Sequence, residues 1–309
     1  MASSTLIETR TKPRRMTMQT RRVYMAYLFL APALLGLIIF LIIPLVWGIW
    51  ISFTDFTPGR PSTFVGLENY IRVFTDPIVR GATVVVIKYA LVVIPFLVVV
   101  PLLMAFPLNQ DFRGIGIYRA GVYFPHIVSM VVVATMFIYI YRSDGIINQL
   151  LWRLFGLFGA EFEPISFLKS SSWALIAVIF VTVFKSSGYY AILYLAGLQN
   201  VPGELLEAAQ IDGANWLQRL WYVILPQIRP MSTLIIIVAT IGSLKLFGEV
   251  FVMTNGGPGL ATQSLMLTVY QQAFQYFRFG YASALAIVMT VFILMLSWLS
   301  LKMSEWSQR

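Results

Sequence analysis

The sequence alternates between long apolar runs and shorter polar segments. A transmembrane helix needs about 20 mostly apolar residues, and six runs reach that length: 24–52, 82–108, 118–141, 173–198, 231–254 and 281–301. The pattern predicts an all-α, polytopic membrane protein with six transmembrane helices. Its membrane domain covers residues 24–301, between a basic tail over 1–23 and a short tail over 302–309.

Several features modify this simple pattern. Prolines lie inside the first two runs, at Pro32, Pro44, Pro95 and Pro101, and they predict kinks because proline removes a helical hydrogen bond. Residues 146–158 are apolar but too short and broken to span a bilayer. We expect a re-entrant or interfacial helix there.

One polar segment stands out, Val201–Pro230, between the fourth and fifth runs. It contains charges, a glycine turn and two proline stops. In lipid every unsatisfied backbone group costs several kcal/mol, so a segment of this composition lies at a membrane face.

Local signals in this segment predict a helix-turn-helix. Glu204 and Glu207 suit the first turn of a helix, whose dipole favours acids, and Asp212–Gly213 indicates the turn that ends it. Asn215 and Gln218 have the spacing of a capping box for the second helix. That helix carries an apolar stripe made of Trp216, Leu217, Leu220, Trp221 and Ile224.

Small residues on the first helix, Ala208 and Ala209, would let the backbone of another protein approach closely. This interpretation makes the segment a docking element. The alternative is an amphipathic helix that rests on lipid headgroups.

Composition agrees with a membrane location. The chain of 309 residues is 59% hydrophobic and 11% charged, whereas soluble domains carry about 25% charged residues. The net charge of +9 is spread over loops, which argues against nucleic acid and favours anionic membrane lipid as the partner. The sequence has no cysteine and one histidine, His126, so we expect no metal site and a packed, structural role for His126.

The distribution of basic residues predicts the orientation. With the N-terminus inside, the inner segments hold 12 Lys and Arg residues and the outer segments hold 7. Basic loops stay in the cytoplasm, so both termini and Val201–Pro230 are expected there.

Charged residues inside the predicted spans are candidates for a polar pathway, because a charge at the bilayer centre costs about 2.5–3.5 kcal/mol or more. Lys88 has the simpler interpretation of reaching the interface, while Lys185 lies mid-span. Lys245 and Glu249 have i, i+4 spacing, close enough to neutralise each other on one helix, and that pair has an equally good structural explanation.

Aromatic rings accompany these charges, and sugar rings stack their apolar faces on aromatic rings while their hydroxyls seek polar groups. Helix packing and interfacial belts explain aromatic residues equally well, so both interpretations stay open. The candidate substrate pathway comprises Lys185, Tyr189, Tyr190, Lys245, Phe247 and Glu249.

The sequence contains no phosphate-binding loop of the G-x-x-x-x-G-K-[ST] type, and no nucleophile–base or metal-hydrolase motif. We therefore expect no catalytic residues and no cofactor. If transport is driven by ATP, hydrolysis takes place on another polypeptide.

The polar segment also resembles a family signature. Glu207-Ala208-Ala209, then Gly213, then Val223-Ile224-Leu225-Pro226 is similar to the EAA loop of importer permeases of the ATP-binding cassette class, which usually has isoleucine in place of Val223. In that family the loop is cytoplasmic and inserts into the ATPase subunit. The resemblance implies a coupling role for Glu207, Ala208, Ala209, Asp212, Gly213, Ala214, Leu225 and Pro226.

Further motifs over residues 27–300 resemble the carbohydrate-importer branch, and the early ones resemble the first permease subunit of maltose and glycerol-phosphate systems. They are Leu30–Ala33, Phe64–Tyr70, Ala196–Gln199, Gly256–Gly259 and Gln272–Ala284. The resemblance implies a second, homologous permease subunit in a heterodimer, two ATPase subunits, an extracytoplasmic solute-binding protein and the inner membrane of a prokaryote.

The chain departs from this family at two positions of the fifth run. It has Lys245 and Gly248 where the family often has glutamine and aspartate. A lysine favours an acidic or amino-substituted sugar. An ion-coupled secondary transporter is the main alternative, although the repeats and broken helices typical of that class are represented only by isolated prolines. An intramembrane enzyme or scaffold is the second alternative.

Overall fold

The computed structural model describes the backbone of residues 18–307, and the side chains of residues 22, 25–299, 301 and 302. Most of the predicted basic tail, and residues 308–309 of the predicted C-terminal tail, lie outside the described residues. The first helix begins at Met18.

The described regular structure is helical, with an isolated bridge between Thr54 and Phe64, which confirms the all-α class. The helices are α1 (Met18–Leu37), α2 (Ile43–Ser52), α3 (Glu68–Thr75), α4 (Pro77–Leu108), α5 (Ile115–Ile127), α6 (Met130–Ile140), α7 (Ile146–Leu157), α8 (Ala174–Gln199), α9 (Gly203–Ile211), α10 (Trp216–Arg219), α11 (Leu225–Gln227), α12 (Arg229–Leu244), α13 (Gly248–Met253), α14 (Leu265–Tyr270) and α15 (Phe279–Ser307). Short π-helical segments lie at Ile38–Ile42, Leu220–Ile224 and Gln271–Gln275.

Within the described residues, four helices are long and apolar enough to cross a membrane, and the number reaches six if each of two bent pairs is one span. The four are Met25–Ser52, Pro77–Leu108, Ala174–Gln199 and Phe279–Leu299. The bent pairs are α5 with α6, at 92°, and Trp216–Gln227 with α12, at 69°.

Two of the predicted spans are not single uninterrupted helices. The third, 118–141, breaks at Val128 and Ser129, whose backbones are extended. Pro125 lies just before this break and removes one hydrogen bond from the last turn of α5. The fifth, 231–254, is interrupted between the end of α12 at Leu244 and the start of α13 at Gly248.

The chain divides into two units, Met1–Trp50 and Ile51–Arg309. In the first, the π-helical segment Ile38–Ile42 ends two residues before Pro44. Proline has no N–H, so a carbonyl one turn earlier has no helical donor, and a π-helical turn is a common form of helix irregularity at such a position. In the second, α4 runs uninterrupted through Pro95 and Pro101.

The main core of the second unit lies between α4, α6, α8, α12 and α13. Its buried side chains include Tyr89, Val93, Phe137, Val178, Tyr194, Ile235 and Val250. A second cluster joins α3, α4, α14 and α15, with Val73, Val86, Leu265, Leu285 and Met289 buried in it. Outside these cores many large apolar side chains are exposed, as expected of helices whose solvent is lipid.

Polar contacts organise the segments that precede α4 and α8. The Thr63 N–H donates to Asp55 and lowers the pKa of that carboxyl, and the Arg142 guanidinium donates to Asp144 at 2.9 Å and lowers its pKa in the same way. A helix is present where residues 146–158 predicted one: α7 covers Ile146–Leu157. Its interfacial position stays a prediction.

Candidate functional site

The segment Val201–Pro230 folds as the predicted helix-turn-helix. Helix α9 ends in a Schellman motif: Gly213 N–H donates to Gln210 O at 3.1 Å and Ala214 N–H donates to Ala209 O at 2.9 Å. Gly213 has φ +80°, a left-handed conformation that glycine adopts without strain. The turn therefore depends on the glycine that the sequence singles out.

The second helix starts with the predicted capping box. Asn215 Oδ1 accepts from Gln218 N–H at 2.9 Å, and Gln218 Oε1 accepts from Asn215 N–H at 2.8 Å. Arg219 Nη1 donates to Gln210 Oε1 at 3.2 Å and so links the second helix to the first. These contacts hold the turn in one conformation.

Much of the surface of this segment is apolar and exposed. The exposed fraction is 87% for Ile211, 64% for Trp221 and 80% for Tyr222. Of the predicted coupling residues, Glu207, Ala208, Asp212 and Gly213 are exposed, whereas Ala209, Ala214, Leu225 and Pro226 are half-buried. Leu225 packs against the main core, so it anchors the segment, and the exposed residues of both helices form the accessible surface.

A polar cavity of about 170 Å³ lies between α4, α8, α12 and the α12–α13 break. Tyr89 Oη donates to Thr182 Oγ1 at 2.8 Å, and Thr182 Oγ1 makes a long hydrogen bond of 3.5 Å to Glu249 Oε1. Polar side chains lining the cavity are Tyr89, Thr182, Ser186, Tyr190, Ser243, Lys245 and Glu249.

The predicted pathway residues divide into two groups. Tyr190, Lys245 and Glu249 line the cavity. Lys185 Nζ donates instead to His126 O at 2.9 Å, and Tyr189 stacks on the His126 ring with centroids 4.6 Å apart. Phe247 stacks on Phe251 with centroids 5.2 Å apart.

The predicted contact between Lys245 and Glu249 is absent, since no ion pair joins them in the part of the chain that the structure describes. Their i, i+4 spacing brings side chains together only on a continuous helix, and the helix stops at Leu244. Both residues still face the same cavity. Tyr89 and Thr182, which the sequence analysis overlooked, carried one available signal: each is a polar side chain inside a long apolar run.

The described residues contain no cluster of three or more His, Cys, Asp or Glu side chains that could hold a metal ion. His126 lies between aromatic rings, with Tyr123 at 5.6 Å and Tyr189 at 4.6 Å between centroids. The polar side chains that line the cavity can instead exchange hydrogen bonds with a solute.

Comparison with solved structures supports the same architecture. A chain in the crystal structure of a bacterial ABC transporter involved in the import of the acidic polysaccharide alginate superposes with a TM-score of 0.80, at 23% identity, over 93% of this chain and 97% of that chain. At this identity the likeness concerns the fold alone.

Curated proteins match along most of their length. The probable ABC transporter permease protein YurN of Bacillus subtilis is 34% identical over 89% of this chain and 94% of its own. The trehalose/maltose transport system permease protein MalF of Thermococcus litoralis is 33% identical over 90% of this chain and 92% of its own. The sulfoquinovosyl glycerol transport system permease protein SmoG of Agrobacterium fabrum is 31% identical over 86% and 85%.

A family model covers most of the second unit, from residue 63 to residue 303. Its members are membrane transport components, which excludes the enzyme alternative and gives no support to ion-coupled transport. The chain belongs to the family of binding-protein-dependent transport system inner membrane components.

Proposed function

We propose that this chain is one permease subunit of an ATP-driven importer that takes a sugar or oligosaccharide from an extracytoplasmic solute-binding protein. It forms half of the translocation pathway, beside a second, homologous permease subunit, and two ATPase subunits supply the energy. The named relatives include transporters of trehalose/maltose and of sulfoquinovosyl glycerol, which supports a carbohydrate as the solute.

The observation that carries the proposal is the connection between the exposed helix-turn-helix and the polar cavity. Helix α8 leads into the segment and α12 leads out of it. Both helices line the cavity, through Thr182, Ser186 and Tyr190 on α8 and Ser243 on α12. A displacement of the segment is therefore transmitted to the cavity through these two helices, which join the segment at short breaks over residues 200–202 and at Ile228.

The segment has the surface that a docking element needs. Ile211 and the small residues Ala208 and Ala209 surround a turn that is fixed by backbone hydrogen bonds. An ATPase that binds this surface more tightly in one gate state shifts the permease towards that state by its difference in affinity. We infer that the segment and both termini are cytoplasmic, in line with the excess of basic residues in the inner segments.

The cavity has the chemistry of a saccharide site on the translocation pathway. Hydroxyl and carboxylate groups on Tyr89, Thr182 and Glu249 exchange hydrogen bonds with sugar hydroxyls, and the Tyr190 ring offers an apolar face. Lys245 adds a cation, which favours an acidic or amino-substituted sugar.

The substitution Gly213→Asp tests the coupling role. It adds a side chain and a charge at the exposed turn, and we expect ATP-dependent uptake into proteoliposomes to fall about tenfold or more, because a loss above about 1.4 kcal/mol at an interface is a factor of ten. Co-purification of the ATPase should fall in parallel.

Gly159→Asp is the matched control. Gly159 also has a positive φ, +69°, and open space at its Cβ position, as Gly213 does. We expect it to leave uptake and ATPase association unchanged. Normal uptake with full ATPase co-purification in Gly213→Asp would refute the coupling role.

A further inference from the structure

An apolar groove of about 250 Å³ lies away from the polar cavity. It is bounded by α3, α14, α15 and the first two turns of α4. On α15 it is lined by Leu285, Val288, Met289 and Phe292, whose i, i+3, i+4, i+7 spacing forms one face of the helix. The only charged side chain in its lining is Arg80, on α4.

The mouth of the groove lies at the level of lipid headgroups. Tyr281 Oη donates to Asp76 Oδ2 at 2.7 Å, so α4 and α15 begin at the same end of the unit. Helix α4 has 32 residues and is about 48 Å long at 1.5 Å per residue, whereas the hydrocarbon core is about 30 Å thick. The apolar run of α4 begins at residue 82, so the part of α4 that extends beyond the hydrocarbon core includes its first turn, and Arg80 in that turn lies in the headgroup region.

The floor of the groove reaches into the hydrocarbon region. Phe292 follows the start of α15 at Phe279 by about 20 Å along the helix axis. The neighbouring α15 side chains Val291 and Met295 are 59% and 57% exposed. The groove thus opens onto an apolar surface formed by two membrane-spanning helices, where acyl chains are the surrounding solvent.

A hydrogen bond through Nε holds the Arg80 guanidinium at this mouth and leaves its terminal N–H groups available. Arg80 Nε donates to Phe74 O at 3.3 Å, and the Phe74 side chain lines the groove. The nearby carboxylate of Asp76 already accepts from Tyr281 Oη and from Ile78 N–H. Within the described residues Arg80 forms no ion pair, so its terminal N–H groups can bind an anion.

We propose that this groove binds an anionic phospholipid, with one acyl chain along the α15 face and the phosphate on the Arg80 guanidinium. Arginine forms two parallel hydrogen bonds with a phosphate group, and this charge match distinguishes the groove from an ordinary lipid-facing surface. The inference requires only that the chain spans a membrane. It is independent of which solute is carried.

The test is a titration of the assembled, detergent-solubilised transporter with phosphatidylglycerol, read by native mass spectrometry. The wild type should retain one phosphatidylglycerol per copy of this chain and prefer it to phosphatidylcholine. In Arg80→Gln the preference should fall about fivefold, the equivalent of about 1 kcal/mol per basic residue. Arg80→Lys keeps the charge and should keep most of the preference.

Arg60→Gln is the matched control, because Arg60 is also exposed and lies outside the groove lining. It should leave the preference unchanged.

Val288→Trp fills the groove and should reduce retention of both lipids. Inorganic phosphate should displace neither lipid, since it has no acyl chain.

Three results would overturn the proposal: an unchanged preference in Arg80→Gln, displacement of the lipid by inorganic phosphate, or cross-linking of a cysteine at position 288 to another subunit of the transporter. The last would mean that a protein helix covers the groove. Melting temperatures show whether each variant is folded. We expect the Arg80 variants to fold, because Arg80 is exposed and its replacement leaves the buried clusters intact.

Discussion

Single glycines decide how closely some helices approach each other. A methyl group on Gly188 in α8 would overlap the backbone carbonyl of Val122 in α5, and one on Gly280 in α15 would overlap the carbonyl of Thr54. A backbone carbonyl cannot turn aside as the end of a side chain can. In membranes, where helix association depends on van der Waals packing, small residues at such contacts are therefore required.

Gly188→Ala should destabilise the protein by about 1–3 kcal/mol, the usual cost of overpacking. Thermal unfolding of the purified protein in detergent measures the effect as a lower melting temperature. Gly121→Ala, on α5, is the control because open space surrounds its Cβ position. Equal melting temperatures for the two variants would show that α5 and α8 can separate at no cost.

Lys185, a charged side chain in the apolar part of the chain, has a neutral hydrogen-bond partner at a helix break. Helix α5 ends at Ile127, so the His126 carbonyl is one of the last four carbonyls, which have no intrahelical donor. Lys185 Nζ donates to it at 2.9 Å, and a cation at a helix C-terminus is favourable. The break that the sequence pattern did not predict therefore explains the position of Lys185.

At the scale of the element, local sequence signals were sufficient to predict the helix-turn-helix. Asn215 and Gln218 predicted a capping box, and both of its hydrogen bonds are present. Asp212–Gly213 predicted the turn, and Gly213 has the left-handed backbone. These signals act between residues at most a few positions apart, so the sequence alone determines them.

Asn215→Ala should loosen the start of α10. Loss of an N-cap costs about 1 kcal/mol, which corresponds to about fivefold faster amide hydrogen exchange. Hydrogen exchange with mass spectrometry should detect this over Trp216–Arg219. Asn200→Ala is the control, because Asn200 Nδ2 donates to Ala196 O at the end of α8 and leaves α10 untouched. Identical exchange over α10 in both variants would mean that other contacts hold its first turn.

The breaks at Val128–Ser129 and Lys245–Phe247 were not predictable from the same kind of signal. Both lie inside apolar runs long enough to span a membrane. Pro125 and Lys245 lie in these runs close to the breaks, but packing across helices decides where each run bends. Phe247, for example, stacks on Phe251 and also packs against Tyr270, with ring centroids 5.3 Å apart. Tyr270 is more than twenty positions away in the sequence. As a result the sequence identified Lys245 and Glu249 as pathway candidates but assigned them the wrong mutual contact.

At the scale of the whole second unit, polar side chains from four elements meet in one cavity. Tyr89 on α4, Thr182 on α8, Ser243 on α12 and Glu249 on α13 lie far apart in the sequence. No local pattern connects them, which is why Tyr89 and Thr182 were missed. A polar group inside a membrane is costly unless it has a role or a partner, and here the partners are other members of the same cavity.

Glu249→Gln tests whether this cavity carries the solute. The change keeps the size of the side chain and removes its charge, so a hydrogen bond between the carboxylate and a sugar hydroxyl loses the extra strength of a charged acceptor. We expect about tenfold slower uptake by the reconstituted transporter, with assembly and basal ATPase activity unchanged, because that loss is about 1.4 kcal/mol. Lys88→Gln is the control, since Lys88 is exposed on α4 next to Tyr89 and lies outside the cavity lining. Equal uptake rates in Glu249→Gln, Lys88→Gln and the wild type would place the solute pathway elsewhere, while the coupling role of the helix-turn-helix would still stand or fall with Gly213→Asp.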